Sequence, residues 1–219
     1  MNRLRRLILG SAVLCVPAAW AQAPAGRFDA TVTIGSMKVP FTMNFEGSGA
    51  DLAGTLVFGD VRIRSTAGSF DAGKVRLEFP NASRLEASIG DSGFKGAFGN
   101  AQSGMHPFQA TAFCTCGFLG EAGPDVMGKW EIAGTGYRVV IRRIADDTVA
   151  TVTRGDNELG PLSGRFNGAF FELSYYDGTR AAVLEMEPRK DGGLDLAFME
   201  PGKAPAKWKA VRATPAESR

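Results

Sequence analysis

Gly59-Asp-Val-Arg-Ile-Arg-Ser-Thr-Ala-Gly-Ser-Phe-Asp71 and Gly155-Asp-Asn-Glu-Leu-Gly-Pro-Leu-Ser-Gly-Arg-Phe-Asn167 are two versions of one segment. Laid with Gly68 over Gly164, they share the Gly-Asp turn and the Gly-x-Phe step. The match runs outward to Leu77 over Leu173, Phe79 over Tyr175, Asn81-Ala82 over Asp177-Gly178, and Arg84 over Arg180. Farther out the register drifts by a few residues. Gly26-Arg27-Phe28 then matches Gly128-Lys129-Trp130, and Phe108-Gln-Ala110 matches Trp208-Lys-Ala210. A repeat of this length sets the architecture before any strand is assigned, because each copy must be a structural unit.

The units are strand-patterned. Phe28, Ala30, Val32 and Ile34 alternate with polar residues, then Gly35-Ser36 gives a turn. Val39, Phe41, Met43 and Phe45 alternate again, with Pro40 counting against a central strand. Val75, Leu77 and Phe79 match Phe171, Leu173 and Tyr175. Period-two alternation means one buried and one wet face, the mark of antiparallel strands. Asp71-Ala-Gly73, Asn167-Gly168 and Asp177-Gly178 supply the tight turns. The fold expected is all-β: two sequence-related antiparallel units, barrel-like as a lipocalin-like meander or a sandwich, with little helix. The divisions are a signal peptide over 1–21, a first β unit over 22–112, and a linker over 113–126. A second β unit covers 127–213, and 214–219 form a disordered tail.

Residues 1–21 read as a targeting segment: basic start, short apolar run, and small residues at Ala19 and Ala21. Cleavage is expected after Ala21, placing the chain in the periplasm or outside the cell. Leu14 before Cys15 is not the small residue that a lipidation signal needs. The leader holds three of the 25 basic residues and none of the 23 acidic ones, so the remainder is formally −1. That balance gives no electrostatic case for nucleic acid. No later apolar run is long enough for a membrane helix.

Cys114-Thr-Cys116 is the sharpest local motif. In extended chain their Cα atoms would lie roughly 6.6 Å or more apart, near the limit for a disulfide. A bond there needs a local bend, and strained, exposed bonds are the labile ones. The pair reads as a candidate redox or disulfide site, or as an inert staple or two buried thiols. With His106, the only histidine, the two sulfurs also make a soft metal site conceivable for Cu(I) or Zn(II). The bland reading of His106 is an exposed loop residue. A triad must use that same histidine, and no Gly-x-Ser-x-Gly elbow occurs. The aromatics Phe28, Phe41, Phe45, Phe58, Trp130 and Trp208 read either as core or as the lining of a ligand cavity.

Several strings carry a resemblance. Gly26-Arg-Phe-Asp-Ala-Thr-Val, Ser65-Thr-Ala-Gly-Ser-Phe70, Gly128-Lys-Trp-Glu-Ile132 and Leu173-Ser-Tyr-Tyr-Asp-Gly-Thr-Arg180 are among them. They resemble the β-rich N-terminal region of exported bacterial TlpA-like thiol-disulfide oxidoreductases, over roughly residues 26 to 213. In that family a thioredoxin fold with a C-x-x-C site follows. Here the sequence ends at Arg219 and holds no C-x-x-C, so the family's catalytic residues map to no position. The resemblance implies a non-catalytic exported module for periplasmic thiol-disulfide chemistry. It is either free-standing or the front of a longer product, with a thioredoxin-fold domain or another periplasmic protein as partner. No cofactor is expected. The alternatives are a barrel binding a small apolar molecule, and a small redox or metal protein using Cys114 and Cys116.

Overall fold

The computed structural model describes residues 23–113 and 123–213. The first unit runs β1 (Gly26–Ile34), β2 (Met37–Glu46), a 3₁₀ turn (Gly49–Asp51), β3 (Ala53–Phe58) and β4 (Val61–Arg64). It continues through β5 (Ala67–Asp71), β6 (Lys74–Glu78), β7 (Arg84–Gly90), β8 (Gly93–Asn100) and β9 (Gly104–Ala112). The second runs β10 (Gly128–Ile132), β11 (Tyr137–Ile144), β12 (Asp147–Arg154) and β13 (Asn157–Phe166). It ends with β14 (Phe171–Tyr176), β15 (Ala181–Pro188), β16 (Leu194–Met199) and β17 (Ala206–Arg212). All pairings are antiparallel.

The second unit is a closed eight-stranded barrel, sealed by β10 against β17. The first is a curled half-barrel of order β4-β3-β2-β1-β9-β8-β7-β6-β5. Its two edges are consecutive in the chain. Ser65 N donates to Gly54 O (2.8 Å) and Thr66 N to Glu78 O (2.7 Å), so the step between β4 and β5 links the two edges. Edge strands left bare invite mispairing, and edges this short limit that hazard.

The repeat persists in the register. Gly68 faces Leu77 and Phe70 faces Val75, as Gly164 faces Leu173 and Phe166 faces Phe171. Leu56 faces Ile63 as Val152 faces Leu159. Ala30 faces Ala110 as Ile132 faces Ala210. Strand β13 therefore corresponds to β4 and β5 taken together, and its pairing with β12 slips between Ala150 and Val152, where the first copy breaks. The drift enters after β6: Leu77 faces Leu85, whereas Leu173 faces Leu184. Aligned on Gly68 and Gly164, β14 runs two residues beyond the end of β6, and those residues are Tyr175 and Tyr176.

The alternating residues fill both interiors. Phe28, Met43, Leu56, Leu77, Leu85 and Phe98 are buried in the first unit, and Trp130, Val139, Leu162, Leu173, Leu184 and Met186 in the second. Phe70 and Phe166 occupy matching positions, each half-buried and packed against its own core. Pro40 lies inside β2 after all. It pairs with Thr31 of β1, while β3 begins pairing only at Thr42, so no ladder bond to β3 is lost. Val126, read as linker, is buried in the second core, and its carbonyl accepts the Trp130 Nε1 hydrogen (2.8 Å).

The outer face of the second barrel stoppers the first. Tyr176, 1% exposed, enters the first core beside Phe41 and Phe98 with Ala181 and Val183. Its ring stands edge-on to Phe98 at 5.1 Å, and its hydroxyl donates to Phe98 O (2.9 Å). Burial, then Asp177, pushes the Tyr176 phenol well above its ordinary value, so the hydroxyl stays a donor. Ser174 Oγ donates to Pro40 O nearby. The β14–β15 turn lies on the first unit's turns, where Asn100 Nδ2 donates to Thr179 Oγ1 (2.9 Å) and Ser103 Oγ to Gly178 O (2.9 Å). Gly178 has φ +89 and a Cβ there would meet Ser83 Cβ at 2.2 Å, so glycine is required on both counts.

Candidate functional site

Where β1 and β2 of the first unit face β12, β13 and β14 of the second, a cleft of about 240 Å³ remains. Its charged side chains come from the outward positions of the same strands that fill the cores: Asp29 on β1, Asp147 on β12, Arg165 on β13 and Glu172 on β14, with Arg27 of β1 bonded to Asp147 beside them. Alternation alone puts them there, since Phe28, Leu162 and Phe171 beside them point inward.

Asp147 is the hub. Its Oδ1 accepts from Arg27 Nη2 (3.3 Å) and Arg165 Nε (3.1 Å). Arg27 Nη2 also reaches Thr42 Oγ1 (3.4 Å). Both guanidiniums pack on the Phe113 ring, at 4.3 and 4.6 Å from its centroid. Such contacts favour arginine over lysine, whose compact head neither stacks nor forks. Phe113 is fixed in turn by its backbone N–H on Arg27 O (2.9 Å). Arg27 Nε and Arg165 Nη2 are buried and find no acceptor among the described residues.

The carboxylates feel their burial. Asp147 is pushed above the usual range by burial, with Arg27 pulling the other way. Glu172 is raised by burial and by Glu185, its partner across the β14–β15 ladder, with Lys38 opposing. Asp29 sits at the rim with its side chain still open to solvent, yet enough of the cleft surrounds it to raise its pKa against the pull of Arg27. Perturbed carboxyls in a cleft with fixed cations are the sort of cluster that binds polar ligands.

Cys114 and Cys116 lie outside the described residues. The described residues on either side of that segment both border the cleft: Phe113 lines it, and a Cβ on Gly123 would meet Phe166, another lining residue, at 2.7 Å. His106 is not in a loop. It sits on β9 opposite Phe98, half-buried. Among the described residues no three His, Cys, Asp or Glu side chains are grouped to hold a metal, and no helix is long and apolar enough to cross a membrane.

Sequence reasoning missed the cleft residues. Arg27, Asp29, Arg165 and Glu172 occupy outward positions of alternating strands, and Asp147 opens β12. Only docking of the two units places them together, and no local pattern encodes that docking. Comparison with known proteins finds no matching family model, no matching curated protein and no matching solved structure.

Proposed function

We propose that the chain is an exported, non-catalytic β module that docks or positions a partner in periplasmic thiol-disulfide chemistry. One observation carries this reading: two core-filled β units are locked together by Tyr176 and the β14–β15 turn. The result is a platform, with its polar groups gathered in the seam and not in an enclosed chamber. Filled interiors weigh against an apolar ligand held inside a barrel, because such a ligand needs a lined cavity. The resemblance to the β region of TlpA-like proteins supplies the partner class, a thioredoxin-fold domain or another periplasmic protein.

In-cell photo-crosslinking from probes at Thr31 and Asn167, beside the cleft, tests the reading. A thioredoxin-fold protein among the captured species is the expected result, and the purified chain alone should turn over no disulfide substrate. Capture of none, or efficient disulfide turnover by the chain itself, would replace docking with another role. Glutathione titration of Cys114 and Cys116, read by mass, separates the redox alternative. A pair that stays oxidised until strongly reducing conditions behaves as a structural staple.

A further inference from the structure

Each unit opens at one end into a mouth, and only one of the two is filled. The ladders identify the counterparts. Phe98 faces His106 as Phe198 faces Ala206, and Gly96 faces Phe108 as Leu196 faces Trp208. Phe28 faces Met43 as Trp130 faces Val139, which sets Phe41 against Tyr137. With Phe79 over Tyr175, four matched aromatics stand at each mouth. The first has Phe41, Phe79, Phe98 and Phe108, and the second has Tyr137, Tyr175, Phe198 and Trp208.

Tyr176 makes the difference. Its ring lies 5.9 Å from Phe41 and edge-on to Phe98 at 5.1 Å, and all four rings of the first mouth are buried. In the second mouth Phe198 meets no edge-on ring among the described residues. Trp208 stacks on its face at 5.6 Å, and Tyr137 stacks on Trp208 at 4.9 Å. Tyr137, Tyr175 and Trp208 are left half-buried. Beside them Tyr175 and Phe198, with Leu159 and Ala182, line a cavity of about 220 Å³. Drug-sized sites hold roughly 300–1,000 Å³, so this one fits a single substituted ring. At its rim Arg180 is paired with Asp177 and Lys203 with Glu200, so neither cation is free to select an anion.

We propose that the open mouth of the second barrel binds a small neutral aromatic molecule of the phenol class, its ring taking against Phe198 the place that Tyr176 takes against Phe98. Edge-on ring contacts add to what apolar burial alone supplies. A hydroxyl suits the rim, where Glu158 and Thr179 also line the cavity. The site lies at the mouth and leaves both interiors filled, and it does not rest on the docking role.

Titration of the purified chain with p-cresol, 4-methylcyclohexanol and N-acetyltyrosinamide, read by calorimetry and amide chemical shifts, tests it. p-Cresol should bind with a Kd of about 1 mM or tighter and shift the amides of Gly160, Thr179 and Ala182. 4-Methylcyclohexanol, of similar size but without a π-face, should bind about threefold or more weakly. Ala182→Leu and, separately, Leu159→Phe should fill the mouth and weaken p-cresol binding at least about tenfold. Circular dichroism melts of each variant verify that it is folded. No binding at about 10 mM, equal binding of the cyclohexanol, shifts confined to other parts of the chain, or unchanged affinity in both folded variants would overturn the assignment. Tighter binding of N-acetyltyrosinamide than of p-cresol would give the mouth to a tyrosine of another polypeptide and overturn the free small molecule.

Discussion

Tyr176 does two things with one side chain. Its ring fills the first unit's core, and its hydroxyl satisfies Phe98 O in a place water does not reach. Tyr176→Phe keeps the ring and loses the bond, which should cost about 1 kcal/mol. Tyr176→Ala opens a cavity across the seam and should cost about 3–5 kcal/mol. Urea denaturation of both variants measures the two costs separately. Glu172 makes a prediction of opposite sense. Its folded-state carboxyl is raised by burial and Glu185, so its contribution is fully favourable below the unfolded pKa and is lost as pH rises through the folded one. Glu172→Gln should therefore be no less stable at pH 7, with a gain below about 1 kcal/mol because the site is partly solvated. That gain should vanish on acidification below roughly pH 4. A stability–pH series of variant against parent shows the trend, and a variant less stable at neutral pH would contradict it.

Among the strands, the matched glycines give the sharpest test of equivalence. A Cβ on Gly68 would meet Leu52 O at 2.2 Å, and one on Gly164 would meet Glu172 O at 1.9 Å. In each case the obstacle is backbone, which cannot rotate away. Gly68→Ala and Gly164→Ala should each destabilise by about 1–3 kcal/mol, the cost of overpacking, and by similar amounts. The paired rings behave likewise. Phe70→Ala and Phe166→Ala should fall below the roughly 3–5 kcal/mol of a fully buried Phe, because both are half-buried. Denaturant melts that rank one copy far above the other would argue against equivalent positions. At this scale the sequence is readable: alternation, turn residues and repeat register all fix strand position through contacts a few residues apart. The two-residue extension of β14 was not readable. The motif Ser174-Tyr-Tyr-Asp177 aligns with Glu78-Phe-Pro-Asn81, and nothing local says that the second copy keeps pairing where the first turns away.

For the whole molecule, that extension is what unites the halves. It carries Tyr176 into the neighbouring core and sets Asp177–Arg180 on the first unit's turns. The cluster of Arg27, Asp147 and Arg165 is a product of the same docking, which is why its residues read as ordinary solvated strand faces. The central claim is thus one body made of two equivalent β units. Trp130 and Trp208 both lie in the second barrel, and the first unit has no tryptophan, so fluorescence reports on one half and far-UV circular dichroism on both. The decisive measurement is urea unfolding of the chain carrying Trp20→Phe, followed by both signals. One coincident transition is predicted, splitting into two when Tyr176→Ala is added. A parent chain that already loses its fluorescence signal while a separate circular dichroism step remains would show two independent domains and contradict the account.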